Sequence, residues 1–497
     1  MIKYHPLTIL YQIFQLIKNS LFLVIILFVV RGSSDFWLLK YGRIALILFI
    51  IVRIVFIIIG WFTRKYEVKE HAFHIKEGIF STVNSTIPFS KIQNVKRQTN
   101  FFHRLFGVTS VTFETAMDGD DDAIVFQVVT KQQAAYLLSL VEAKKDQQET
   151  VGEAEPNKEQ ANKQVTHFRS SMKDVIRASF TSLSFLAIIP ILFAFYDDIL
   201  PLLPFDPDYD GMFQSIVSNF WLMGFLIFAA VIISVIIGMT RTFLRYGKFE
   251  ISSDDSQIFI KRGMISTSYF SIKKSKVQAV EITQSSLKRL FNMAEVKLIS
   301  TGKTKSDDNE QEINSLYPFL PYNKAMELIQ EILPDYESID NMERLPKQAL
   351  WIKLLEPSWI WIIATVALAY FKPAFLSIEQ AWWIMSSLLF IIVYMNRILD
   401  FFHTQYAINS NQFQLRKGGI TTMLIMTKAW KMVEVEVSQN RFQRKLDLAS
   451  VKTSIRATPI RNEWLNHVPV IFANHFSGWF QTSEQKLYKK IKKKERG

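Results

Sequence analysis

Six long apolar stretches, arranged in pairs, limit what this chain can fold into more than any other feature. They run Ile13–Val30 and Ile44–Phe62, Ala178–Tyr196 and Ile216–Met239, then Pro357–Phe371 and Ala381–Ile398. Each approaches the ~20 residues that carry a helix across a ~30 Å hydrocarbon layer, although the third pair is short and Lys18 sits inside the first stretch. Trp61, Trp359, Trp361, Trp382 and Trp383 fall at the ends of these stretches, where an amphipathic indole prefers the headgroup layer. The reading is a membrane protein with six transmembrane helices in three hairpins, over 13–62, 178–239 and 357–398. No small-residue cleavage site follows the first stretch, so it is read as a retained span.

Composition agrees. A chain of 497 residues that is 49% hydrophobic is too long for one ordinary domain and too apolar for a purely soluble protein. It has no cysteine, so disulfides, thiolate metal sites and thiol redox chemistry are excluded. The formal charge of +13 points toward anionic surfaces.

Orientation comes from the middle hairpin. Its connecting loop, YDDILPLLPFDPDYDGMFQ, is acidic and carries no Lys or Arg, whereas Arg169, Lys173 and Arg177 precede the hairpin and Arg241, Arg245 and Lys248 follow it. The positive-inside rule puts the loop outside and the flanks in the cytoplasm. Charge alone does not orient the first and third hairpins, because Arg31, Lys40, Arg43 and Lys372 lie in their connecting loops.

Between the spans the chain repeats itself. HIKEGIFST around Gly78 aligns with FIKRGMIST around Gly263, and the following residues stay in register: Lys91 with Lys276, Val95 with Val280, Arg104-Leu105-Phe106 with Arg289-Leu290-Phe291. A third, more divergent copy begins at QLRKGGITT around Gly418 and keeps Lys431, Val435 and Arg444. The unit is a membrane hairpin followed by a soluble domain, written three times. Alternating runs such as VTFET, AIVFQVV and VKLIST predict strands, and each copy closes in a helical segment. About seven strands and one helix in ~80 residues suggest a small curved sheet or barrel plugged by that helix. The domains are expected over 63–145, 245–336 and 404–485, with a polar, disordered linker over 146–168 and a basic tail over 486–497.

Here the chain resembles the bacterial pleckstrin-homology-like (PH-like) membrane proteins of the YdbT type found in Gram-positive bacteria. The likeness rests on the hairpin followed by RKYEV, IKEGIF, IPFSKIQNV and RLFGVTSVTFET, and covers nearly the whole chain. It implies an α+β membrane protein in which each hairpin precedes a cytoplasmic PH-like barrel with a C-terminal helix. It also implies work beside a shorter, one-domain PH-like membrane partner in the cell envelope, with tolerance of membrane-active peptides among the suggested roles. It carries no catalytic residues.

The residues offer none either. TGKTKSDD at 301–308 ends like a phosphate loop, but Lys297 stands where such a loop needs Gly, so a hairpin tip is the better reading. DGDDD at 118–122 lacks the spaced ligands and distal Glu of a calcium loop, and His71 and His74 read as surface residues. No catalytic constellation, metal site or cofactor site is expected. Three features carry functional weight. Arg53 lies mid-span, where a charge costs at least ~2.5–3.5 kcal/mol and should face a protein or hydrated interior unless it snorkels. Lys91, Lys276 and Lys431 repeat at one position and Arg104, Arg289 and Arg444 at another, as candidate domain-surface contacts or as local caps. The tail adds Lys486, Lys489, Lys490, Lys492, Lys493, Lys494 and Arg496, suited to an anionic inner leaflet. The expected protein is a non-enzymatic membrane scaffold bound to anionic lipid and to a one-domain partner or to itself. The alternative is a transporter of a lipid or amphipathic peptide. Nucleic acid is not an expected partner, because the basic clusters lack interleaved aromatics.

Overall fold

A computed structural model describes residues 1–30, 37–115, 123–149, 164–181, 238–264, 266–300, 315–372, 380–457 and 460–494, with a few positions between 228 and 236. The chain divides into two compact units, Met1–Ile272 and Lys273–Gly497, so the boundary falls inside the second copy.

The first unit opens with a two-residue strand, β1 (Ile2–Lys3), before the first long helix. Helix α1 (Leu7–Val24) continues into wider π-helical turns over Ile25–Val30, and α2 spans Trp37–Thr63. A purely apolar helix is stable in a membrane because every backbone amide is satisfied internally. The widened turns leave the Leu27 carbonyl open to Arg43 Nε at 2.9 Å. The first helix thus begins at Leu7, ahead of the apolar run that starts at Ile13.

Strands β2 (Lys65–Lys69), β3 (Ala72–Glu77) and β4 (Val83–Pro88) follow, and β1 pairs back onto β2, giving the sheet β1-β2-β3-β4. Next come β5 (Ile92–Thr99), the short helix α3 (Phe101–Leu105), β6 (Val108–Thr115), β7 (Ala123–Thr130) and the closing helix α4 (Lys131–Glu149). One core joins both halves of this copy: Phe73, Ile87, Phe113 and Phe126 interlock with Ala134 and Leu137 of α4.

The second copy repeats the plan. β8 (Val165–Arg169) emerges where a linker was expected, α5 (Met172–Thr181) leads toward the second hairpin, and residues 238–246 are helical. Most of 178–239, including the acidic loop, lies outside the described residues, as do DGDDD and TGKTKSDD. Then come β9 (Glu250–Ser253), β10 (Gln257–Arg262) and β11 (Thr267–Lys273), which do not close on their own copy. β11 pairs antiparallel with β5 of the first copy, giving one seven-stranded sheet in the order β7-β6-β5-β11-β10-β9-β8.

The second unit does the same one step later. β12 (Val277–Gln284), α6 (Ser286–Leu290), β13 (Met293–Ser300), β14 (Ser315–Pro321) and α7 (Tyr322–Ile332) complete the second copy. Ala325, Leu328, Ile329 and Ile332 of α7 are all buried, as their amphipathic spacing predicts. The third copy starts with β15 (Glu343–Arg344), α8 (Lys347–Leu355), α9 (Trp359–Phe371) and α10 (Ala381–His403). It continues through β16 (Gln405–Ile408), β17 (Gln412–Lys417) and β18 (Thr422–Lys428). β18 pairs with β12, so a second seven-stranded sheet runs β14-β13-β12-β18-β17-β16-β15. β19 (Met432–Ser438), α11 (Arg441–Lys445), β20 (Leu448–Ile455) and β21 (Arg461–Pro469) form a three-stranded sheet, and α12 (Val470–Lys494) ends the copy.

One expectation changes. Among the described residues the strands form open sheets, two of them shared between consecutive copies, and none closes into a barrel. Among the described residues four helices have the length and apolarity to cross a membrane, over Leu7–Val24, Leu39–Thr63, Lys347–Phe371 and Ala381–His403, while the expected middle hairpin lies largely outside them. Pro357 breaks the third of these between α8 and α9, where its ring cannot continue a helix. α9 packs on α10, with Trp361 Nε1 donating to the Ser386 carbonyl at 3.2 Å.

Candidate functional site

The repeated residues converge on the junctions between copies. Each copy has a tight turn after its third strand at Gly78, Gly263 or Gly418, with φ of 125°, 95° and 114°. A Cβ there would meet the carbonyl oxygen of Ser81, Ser266 or Thr421 at 1.9, 1.9 and 2.1 Å, so only glycine fits. That constraint made these glycines the clearest anchors of the repeat.

The repeated arginine is the fourth residue of a short capped helix. Asn100, Ser285 and Asn440 are the N-caps of α3, α6 and α11, which place Arg104, Arg289 and Arg444 alike. Arg104 Nη2 donates to the Met264 carbonyl at 3.0 Å, in the glycine turn of the next copy. Arg289 Nη2 donates to the Ile420 carbonyl at 3.1 Å and more weakly to that of Gly419 at 3.5 Å, again in the next copy's turn. Met264 and Gly419 hold the same repeat position, so one arginine bond recurs at both junctions. Ser266 Oγ adds a bond to Asn100 Oδ1 at 2.7 Å at the first junction, and Ser286 Oγ one to the Ile420 carbonyl at 2.8 Å at the second.

At the second junction the turn also rests on α10, a helix long and apolar enough to cross a membrane. Asp400 Oδ1 accepts from the Gly418 amide at 2.7 Å and Asn396 Oδ1 from the Ile420 amide at 2.9 Å, both side chains from α10. Arg289 Nη1 lies 2.9 Å from His403 Nε2. Since guanidinium only donates, Nε2 is the acceptor, and Nδ1 carries the proton it gives the Gly418 carbonyl at 3.0 Å. Lys353 of α8 pairs with Asp400. Burial, with Arg416 nearby, disfavours the charge on Arg289, so these bonds offset a real desolvation cost.

The lysine position behaves differently in each copy. Lys91 is exposed. Lys431 is half-buried and donates to the Ser275 carbonyl at 2.8 Å. Burial first, then Lys276 and Arg456, push its pKa below the ordinary lysine value, so two equivalent lysines from consecutive copies meet beside an arginine. Arg444, last of the arginines, is exposed, with no side-chain hydrogen bond or ionic partner among the described residues. Arg53 is exposed on α2, likewise with no such partner among the described residues. The basic tail continues α12 to Lys494, and Arg496 lies outside the described residues.

Several residues of the junctions carried no signal beforehand. His103 of α3 is buried, accepts the Asn100 amide at Nδ1 over 3.2 Å and donates from Nε2 to the Gln127 carbonyl over 2.8 Å. Its ring stacks on Tyr11 at 4.7 Å, joining α3 to α1. Gln443 takes the same capping role in the third copy, accepting the Asn440 amide at 2.9 Å. His467, also buried, lies 3.3 Å from Glu356 in the break between α8 and α9. His74 bonds Thr86 on the sheet surface, and His71 occupies a turn with φ of 62°.

Comparison with known proteins agrees with this architecture. The profile of the family described as "Bacterial PH domain" matches residues 21–145, 207–335 and 360–471, one match to each copy. The chain is 25% identical over 468 residues to the "UPF0699 transmembrane protein YdbT" of Bacillus subtilis (strain 168), covering 92% of this chain and 93% of that protein. No solved structure matches the chain significantly. The match covers well over half of the sequence, and the chain belongs to the bacterial PH domain family, as a YdbT-type membrane protein with three copies of the domain.

Proposed function

We propose that this protein is a non-enzymatic scaffold of the bacterial cell membrane, with six spans in three hairpins and its PH-like copies held on the cytoplasmic face. The observation that carries this reading is the use made of the repeated arginines. Arg104 and Arg289, equivalent residues of the repeat, are spent on joining one copy to the next. Such a residue builds a platform and is not free for chemistry. At the second junction the platform is also tied to a membrane helix through Asn396 and Asp400.

In this account the basic tail and the exposed Lys91 face anionic headgroups, at about 1 kcal/mol of attraction per nearby charge. Arg53 faces the span of a partner, because an unpaired guanidinium against lipid at that depth is costly. The partner is a shorter, one-domain PH-like membrane protein, and the assembly serves envelope integrity, including tolerance of membrane-active peptides. The test is affinity purification of the tagged chain in mild detergent from cells co-expressing such a one-domain protein. Stoichiometric co-purification, lost in Arg53→Leu while membrane insertion persists, is the expected result. Purification of the wild-type chain without that protein would overturn the partner, and an unaltered complex in Arg53→Leu would overturn the role of Arg53.

A further inference from the structure

Every sheet edge but two recurs in all three copies. β1, β8 and β15 are edges of their sheets, as are β7, β14 and β21. The fourth strand of a copy and the fifth strand of the copy before it are paired at both internal junctions, β11 on β5 and β18 on β12. The register is identical: Val95 opposes Ser271 and Val280 opposes Met426, which are equivalent positions counted from Gly78, Gly263 and Gly418. This leaves one edge of each kind open among the described residues, that of β4 in the first copy and that of β19 in the third. They are the two halves of one missing junction.

We infer that β19 of one chain pairs with β4 of a second copy of this chain, head to tail. The register carries over without adjustment: Val435 opposes Thr86, Glu436 opposes Ser85, and Val437 opposes Asn84. The other junction parts are also present and open. Arg444 stands where Arg104 and Arg289 stand, and its targets by position are the carbonyls of Ile79 and Phe80, after Gly78. Asn440 and Ser81 restore the pair formed by Asn100 and Ser266 at the first junction.

The exposed surface supports a protein occupant. Residues 277–282 of β12 are buried, whereas in β19 Val433 is 53% and Val437 38% exposed. On the matching edge Val83 is 52% exposed, and Phe80 in the adjoining turn is 91% exposed. Terminal units of repeat proteins normally end in polar caps, and a long unpaired strand edge invites pairing. A single chain supplies both complementary surfaces, so a second copy satisfies them with no new recognition element. A head-to-tail contact is heterologous and extends past two chains unless it closes into a ring.

The proposal rests on the scaffold reading for its purpose, but its test uses this chain alone, so failure of either is distinguishable. The chain has no cysteine, which permits clean disulfide trapping. Chains carrying Val437→Cys and Asn84→Cys, with tags of different size, are co-expressed, extracted in mild detergent and mildly oxidised; Glu436→Cys with Ser85→Cys forms a parallel pair. Adjacent antiparallel positions alternate between wide and close spacing, so one pair has the approach a disulfide needs. The expected result is a heterodisulfide from at least one matched pair, roughly tenfold above Val433→Cys with Asn84→Cys, and reduced several-fold by Arg444→Glu. A double-cysteine chain should give a ladder of dimer and higher species. No preference for the matched pairs, or a double-cysteine chain that closes only on itself, would overturn the inference.

Discussion

Replacing Arg289 with alanine should loosen the second junction by about 2 kcal/mol. The side chain donates to the Ile420 carbonyl at 3.1 Å and to His403 Nε2 at 2.9 Å, and bonds from a charged donor are worth roughly 1.5–3 kcal/mol each. Two effects reduce the sum. The guanidinium no longer has to be desolvated beside Arg416, and the Ile420 carbonyl keeps its bond from Ser286 Oγ. His403 Nε2 loses a donor outright and the Gly419 carbonyl a weak one at 3.5 Å, and about 2 kcal/mol corresponds to roughly 30-fold in an opening equilibrium. A chain of several units does not unfold as two states, so the assay is native-state hydrogen exchange read at the β12 and β18 amides. Arg289→Lys should lie between, keeping the charge but losing the fork. Arg104→Ala, with one exposed bond, should cost about 0.5–1 kcal/mol at the β5 and β11 amides. Arg444→Ala should change nothing within one chain. Equal effects of Arg289→Ala and Arg444→Ala on these amides would refute the reasoning.

Burial holds the His103 imidazole below its ordinary pKa, and a proton on Nδ1 would meet the Asn100 amide. The native state therefore favours neutral His103, so its contribution is complete above the unfolded pKa of ~6.5 and declines as pH falls from there toward the depressed native value. His103→Gln, copying Gln443, should keep the cap and flatten that part of the pH profile of exchange in β6 and β7; an unchanged slope would remove His103 as its source. Single cysteines at Glu155 and Phe205 should react with an impermeant reagent on intact cells only at 205, and labelling at 155 would reverse the orientation. A fluorophore at Lys490→Cys in bilayer discs should be quenched by spin-labelled lipid more strongly in anionic than in neutral bilayers, and less at high salt, where the screening length shrinks to about 3 Å. Equal quenching in both would leave the tail solvated.

The repeat was legible because glycine is enforced at Gly78, Gly263 and Gly418 by a steric conflict that no other residue escapes. The helices α4 and α7 were legible for a similar reason, since their buried faces must recur at helical spacing. The partner of a strand has no such local mark. VQAVEITQ reads as a strand, but nothing in it says that its neighbour is β18 of the next copy rather than its own domain. The repeated arginine was visible while its target was not, because backbone carbonyls leave no trace in a sequence. The strands β1 and β15, two residues each, are too short for any periodicity, so nothing in the sequence marked them. The third pair of spans looked short for a physical cause: Pro357 leaves α9 with 13 residues, about 20 Å of helix against a ~30 Å layer.

The central claim is that consecutive copies share a sheet, and β5 with β11 offers the most direct test. Arg97 opposes Tyr269 and Gln98 opposes Ser268, all partly exposed. Cysteines placed at each pair in turn in this cysteine-free chain should form an intramolecular disulfide in whichever pair has the close spacing, in the membrane and without denaturant. Absence of a disulfide at both pairs, under oxidation that closes a control pair across β5 and β6, would contradict the shared sheet and return each copy to a self-contained domain.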